Sequence, residues 1–117
     1  MEMTHNEKRE YLIKVLLSEL PRYGDVKIPD NEDEQKRLLR SLMNIRSPRL
    51  ISEEFLKVQD EYLREEVEIK GITDSASLPA SSLDSRLVLW RGDITTLKID
   101  AIVNAANSAL RGCFVPC

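Results

Sequence analysis

The apolar residues of this chain change their spacing part-way along it. Tyr11, Leu12, Val15, Leu16 and Leu20 follow one another at helical intervals with mostly charged residues between them, the pattern of a helix with one buried face. Just ahead, "THNE" at Thr4 to Glu7 is a capping-box pattern, in which a hydroxyl and a carboxylate reciprocally satisfy amides of the first turn. Pro21 and Gly24 stop the run, so the pattern predicts an amphipathic helix over about 5–20. A second helix is predicted after "PDNEDEQ", where Asp30 or Asn31 can cap and Glu32, Asp33 and Glu34 suit the positive end of the helix dipole. Leu38, Leu39, Leu42 and Met43 form its apolar face, and Pro48 marks its end. The third begins near Ser52, places Phe55, Leu56, Val58, Tyr62 and Leu63 broadly on one side, and is closed by Gly71.

Beyond Gly71 the helical period is lost. "GITDSASLPASSLDS", residues 71–85, is rich in Ser, Ala and Asp and reads as a linker or long surface loop. Two short branched apolar runs follow: "RLVLW", Arg86 to Trp90, and Ala101 to Val103 within "DAIVNAA". Runs of this length with no alternation predict strands buried on both faces, as in an α/β sheet covered by helices. "GDITTLKI" between them is long enough for one helical turn. The organisation expected is therefore a helical region over 1–70, a connection over 71–85, and the start of an α/β domain over 86–117.

Composition narrows the function classes. Apolar residues make up 42% of the 117, enough for a core, while 32% are charged. A net charge of -3 and a pI near 5.2, with no stripe of Lys and Arg, argue against a nucleic-acid or anionic-membrane surface. No apolar stretch approaches the roughly 20 residues of a membrane-spanning helix, and "MEMTHNEKREY" has no signal-peptide character, so a cytoplasmic location is the default expectation. The single histidine, His5, stands in the first helical turn with no cysteine near it and reads as a surface residue.

Three short pieces could carry chemistry. Arg91, Gly92, Asp93, Ile94 and Thr95 follow the first apolar run, and ligands bind in the loops at the carboxyl ends of strands in open α/β sheets. A carboxylate there could accept a hydrogen bond from an exocyclic amine; equally, Asp93 could simply cap the "ITTL" turn. Without a secretion signal, "RGD" carries no adhesion reading. In "VNAANS", Asn104 and Asn107 have donors and acceptors suited to sugar hydroxyls, and equally are turn formers. In "GCFVPC", Cys113 and Cys117 make a C-x3-C pair, half of a metal site that needs three or four ligands, or else two buried thiols.

Taken together, "LWRGDITTLKIDAIVNAANSAL" resembles the opening strands of the macrodomain family, which binds ADP-ribose and in several branches removes it from proteins. The helical extension ahead of it, and "LRGCFVPC" where other branches have a glycine-rich loop, resemble the zinc-containing macrodomains of bacteria and fungi. The resemblance implies a three-layer α/β/α sandwich and a protein ADP-ribosyl hydrolase, with ADP-ribose or an ADP-ribosylated protein as partner and zinc as cofactor. It implies that Asp93 binds the adenine amino group with help from the Ile94 amide. Asn104 and Asn107 would shape the pocket near the distal ribose, Asn107 being the residue carried over to catalysis and direct contact. Cys113 matches the first zinc ligand. Cys117 falls just before the place of the family's His and is not assigned as a ligand.

The matching His and second Cys do not occur in the sequence, nor do later strands that would cover "LVLW" and "AIV". The expectation is thus a fragment truncated within the metal loop, inactive alone, whose three helices form a marginal bundle. A non-catalytic ADP-ribose-binding module stands as the alternative function.

Overall fold

A computed structural model describes residues 2–110 of the chain. The chain divides into two compact units, Met1–Lys70 and Gly71–Cys117.

The first unit is three helices. Helix α1, His5–Ser18, begins at the capping box: the Glu7 amide donates to Thr4 Oγ1 at 3.2 Å, and the Thr4 amide donates to Glu7 Oε2 at 2.7 Å. Its end comes earlier than Leu20, and a short 3-10 turn, Pro21–Tyr23, takes over. Helix α2, Glu32–Ile45, is capped by Asn31, whose Oδ1 accepts from the Asp33 and Glu34 amides. Helix α3, Glu53–Lys70, starts where Ser52 Oγ accepts from the Phe55 amide, and stops at Gly71, whose φ of 90° is one that L side chains rarely adopt.

Helix α1 packs on both α2 and α3. That double contact decides which residues are buried. Leu12, Ile13 and Leu16 of α1 meet Leu39 and Leu42 of α2 and Phe55, Val58 and Tyr62 of α3 in one core. Ile13 is fully buried although a one-faced helix would have left it at the margin; a helix with neighbours on two sides buries a wider stripe. Conversely Leu56 and Leu63, placed on the apolar face of α3 by their spacing, are each 44% exposed, because α3 has its main contact with α1 alone.

Polar groups are drawn into this unit as well. Arg9 is almost wholly buried, with Nε donating to Gln35 Oε1 at 2.8 Å and Nη2 to Asn6 Oδ1 at 3.0 Å. Gln35 in turn donates to the Pro29 carbonyl at 2.6 Å. His5 is a correction to the surface-residue expectation. Its ring stacks on Tyr62 at a centroid distance of 4.6 Å and lies between Glu65 and Glu66, sixty residues away in sequence.

The second unit holds two short parallel strands, β1 (Thr73–Asp74) and β2 (Leu97–Lys98), in the register Thr73 to Leu97 and Asp74 to Lys98. Asp74 caps a 3-10 turn over Ser75–Ser77, and the Ser75 hydroxyl donates to the Lys98 carbonyl at 3.1 Å. The stretch 71–85 therefore carries β1 and a turn of its own. The strands expected at Arg86–Trp90 and Ala101–Val103 are not formed; the ladder lies elsewhere. Leu87 uses its backbone in a turn, accepting from the Ser81 amide at 2.7 Å and donating to the Asp84 carbonyl at 3.1 Å. Leu87, Leu89, Ile102 and Val103 are all more than half exposed. Apolar spacing reports a tendency to be buried, but a strand also needs a neighbour to take up its amides and carbonyls. What the described residues show is three helices followed by one short parallel pair.

Candidate functional site

The residues around Asp93 are set by a tight local turn. A 3-10 turn spans Ile94–Thr96 directly before β2, and Asp93 is its N-cap. Its Oδ1 accepts from the Thr95 amide at 3.0 Å and from the Thr95 hydroxyl at 2.7 Å. The Asp93 carbonyl accepts from the Thr96 amide at 3.0 Å and the Thr96 hydroxyl at 2.6 Å. Thr96 is buried beneath the turn, at 8% exposure, while Asp93 and Ile94 are exposed. The capping alternative is thus realised, and it fixes the carboxylate's direction rather than removing it from the surface. Oδ1 is held in the turn, and the residue as a whole is exposed.

Trp90 and Gly92 stand immediately before this turn. A Cβ built on Gly92 would lie 2.4 Å from Trp90 Cζ2 and 2.6 Å from Cη2, closer than side chains tolerate. The indole is therefore laid across the glycine backbone, one residue from the capping carboxylate. The sequence placed Gly92 only in the loop after the first apolar run; its packing against Trp90 was not visible there.

Asn104 and Asn107 share the exposed stretch 101–110. The Asn107 carbonyl accepts from the Leu110 amide at 3.0 Å, closing a turn in which Leu110 adopts a left-handed φ of 53°. Asn107 thus opens a turn through its backbone carbonyl, and the residue is exposed. The structure places Asp93 and Ile94 together on one cap and the two asparagines together on a second segment of the same unit. Cys113 and Cys117 lie outside the described residues. Among the described residues no group of three or more His, Cys, Asp or Glu side chains could hold a metal ion, so these residues do not by themselves make a zinc site. Among them too, no helix is long and apolar enough to cross a membrane.

No protein-family model matches the chain. A protein-ADP-ribose hydrolase of Treponema medium is 56% identical over 117 residues, which is 98% of this chain. The chain is homologous to the protein-ADP-ribose hydrolases. The likeness extends to a protein-ADP-ribose hydrolase of Staphylococcus aureus, 38% identical over 94% of this chain. A fungal protein of Fusarium oxysporum f. sp. cubense, described as a probable bifunctional ADP-ribose hydrolase/ADP-ribosyltransferase, is 42% identical over 68% of it. The chain spans 45% of the Treponema protein, 41% of the Staphylococcus protein and 15% of the fungal one. The likeness to the two bacterial proteins covers 98% and 94% of this chain and so runs through both units.

Proposed function

We propose that this chain supplies ADP-ribose recognition to a protein-ADP-ribose hydrolase of the zinc-containing macrodomain type. The observation that supports the reading is the 56% identity to the Treponema hydrolase along 98% of the chain. In this reading residues 1–70 are a helical extension, 71–85 the connection, and 86–117 the start of a three-layer α/β/α sandwich. The reaction is hydrolysis of the bond between C1″ of the distal ribose and a protein side chain. Water's oxygen joins C1″, and the released side chain takes a proton.

Each residue has a task that its chemistry suits. Asp93, held by Thr95, accepts from the exocyclic amine of adenine, and the Ile94 amide donates to a ring nitrogen. A cap that fixes the carboxylate in advance lowers the ordering cost of binding. Asn104 shapes the pocket near the distal ribose, and Asn107 orients that ribose through its amide. Cys113 would give one thiolate to zinc, a metal that can lower the pKa of a bound water when a site leaves a position open to it.

Isothermal titration of ADP-ribose into the purified chain, with Asp93→Ala alongside, tests the assignment. Saturable one-site binding weakened by the substitution supports it; equal affinity of the two proteins removes Asp93 from the adenine site.

A further inference from the structure

His5 stands at the first position of α1, and its ring is enclosed by α3. Nδ1 lies 2.5 Å from Glu65 Oε2 and Nε2 lies 2.6 Å from Glu66 Oε1, while one ring face is stacked on Tyr62 with planes 13° apart. The side chain keeps only 21% of its exposure. Ionised carboxylates only accept hydrogen bonds, and a neutral imidazole has a single N–H. Both contacts can be hydrogen bonds at once only when the ring carries two protons.

The surrounding charges complete the account. From α1, Lys8 pairs with Glu61 and Glu65. Lys36 of α2 pairs with Glu66 and with Glu32, which also lies 3.7 Å from Arg9. Four carboxylates, Glu32, Glu61, Glu65 and Glu66, thus face three permanent cations, Lys8, Arg9 and Lys36. A protonated His5 balances the set, and a neutral one leaves it a negative charge in excess. The C-terminal end of α3 favours a cation nearby and the N-terminal end of α1 opposes one, so the two helix dipoles act in opposite directions. Glu65 is held below the ordinary glutamate range by its bond to Lys8 first and to His5 second. Burial pushes Glu66 upward, but His5 and Lys36 outweigh it and the net direction is also down. Both directions favour the ionised carboxylate while the ring beside it carries two protons.

We propose that His5 is a proton-controlled clasp between the first turn of α1 and the C-terminal half of α3, closed when the ring is doubly protonated and loosened when it loses one proton. Deprotonation turns one N–H···carboxylate bond into a lone pair facing a carboxylate. The sign follows from the geometry: the clasp's contribution is present while the ring holds both protons and is lost when a rise in pH removes one. Because Glu65 and Glu66 sit far from His5 in sequence, the event is a change in tertiary contact and not a local fraying of α1.

The test uses the full 117-residue chain, in which His5 is the single histidine and its ring signals need no assignment. Long-range ¹H–¹⁵N spectra report the ring's protonation from pH 5 to 8, and amide hydrogen exchange over residues 8–11, corrected for intrinsic rates, reports attachment of the first turns. Protection is expected to fall several-fold in step with loss of the second ring proton. His5→Gln is expected to remove the step and to lie near the high-pH level at both ends. The double variant Glu65→Gln with Glu66→Gln keeps the histidine and is expected to lose the step too, which separates the clasp from any general weakening in His5→Gln. Protection that is unchanged between pH 5 and 8 in the parent chain overturns the proposal. A pH step that persists in either variant does the same.

Discussion

The indole of Trp90 lies across the backbone of Gly92, so that a Cβ at Gly92 would come within 2.4 Å of the ring. Trp90 is the single tryptophan of the chain, which makes the relationship directly observable. Gly92→Ala must displace the ring, and the expected outcome is a red-shifted, more readily quenched fluorescence as the indole moves into water. An emission spectrum identical to the parent's would show that the ring is not held against the glycine.

Asp93 is asked to do two things, cap the turn and meet a ligand, and the two can be separated. Thr95→Ala deletes the hydroxyl that bonds Oδ1 but leaves the carboxylate and the Thr95 amide in place. A hydrogen bond to a charged group contributes about 1.5–3 kcal/mol, so Asp93→Ala should weaken ADP-ribose about tenfold or more. Thr95→Ala should weaken it much less. Calorimetry that finds the two variants equally impaired would mean that the turn, and not the carboxylate, is what the ligand needs.

The capping box at the start of α1 has a measurable contribution of its own. Thr4→Ala removes the acceptor for the Glu7 amide, and losing such a cap costs about 1 kcal/mol. Urea unfolding followed by helical circular dichroism should show the midpoint lowered accordingly, with the slope unchanged.

Leu12 and Leu16 are at the centre of the helical core, 0% and 1% exposed. Truncating either to Ala costs about 2–5 kcal/mol, a large part of what a helical unit of this size has in total. Both variants are expected to lose the cooperative helical transition at room temperature. Leu56→Ala, at a 44% exposed position of α3, is the control and should change stability little.

Acid sensitivity is expected at the far end of α1. The bidentate hydrogen bonds of Arg46 to Glu19, at 2.8 and 3.2 Å, hold the Glu19 carboxyl below the ordinary glutamate range. A carboxylate depressed in the folded state stabilises it above the unfolded pKa of about 4.3, and that contribution is lost as pH falls through the folded value. Arg46→Gln should therefore flatten the acid limb of the stability curve below about pH 4.5 and lower the plateau at neutral pH. Unchanged acid unfolding in this variant would show that the pair makes no net contribution.

The helices were legible because their signals are local. The Thr4 box, the Asn31 cap and Gly71 each act within a few residues, and each marks an end that the structure shows. Ile13 and His5 were not legible for the opposite reason. Which flank of α1 is covered, and which carboxylates meet an imidazole, depend on where α2 and α3 pack, and nothing near residues 5 or 13 encodes that. The apolar runs at 86–90 and 101–103 were legible as segments that prefer burial, but the ladder formed at 73–74 and 97–98 instead, where a capped turn precedes each partner or follows it closely. Asp93 was visible as a cap and as a possible ligand group, and its turn geometry serves either task. The metal loop at Cys113 and Cys117 lies outside the described residues.

The parallel pairing of Thr73 with Leu97 and Asp74 with Lys98 imposes an order of events on the chain's own assembly. Strands so placed are brought together only when the whole stretch 75–96 has closed on itself, and that closure is costly before any bond repays it. Helical turns, by contrast, need only their nearest neighbours and appear on sub-microsecond scales. The turn at Ile94–Thr96 abuts β2 but is held by local bonds of Thr95 and Thr96 to Asp93, so it needs no partner strand to form. Pairing of 73–74 with 97–98 is then the late event, and the local turns on either side are in place before it.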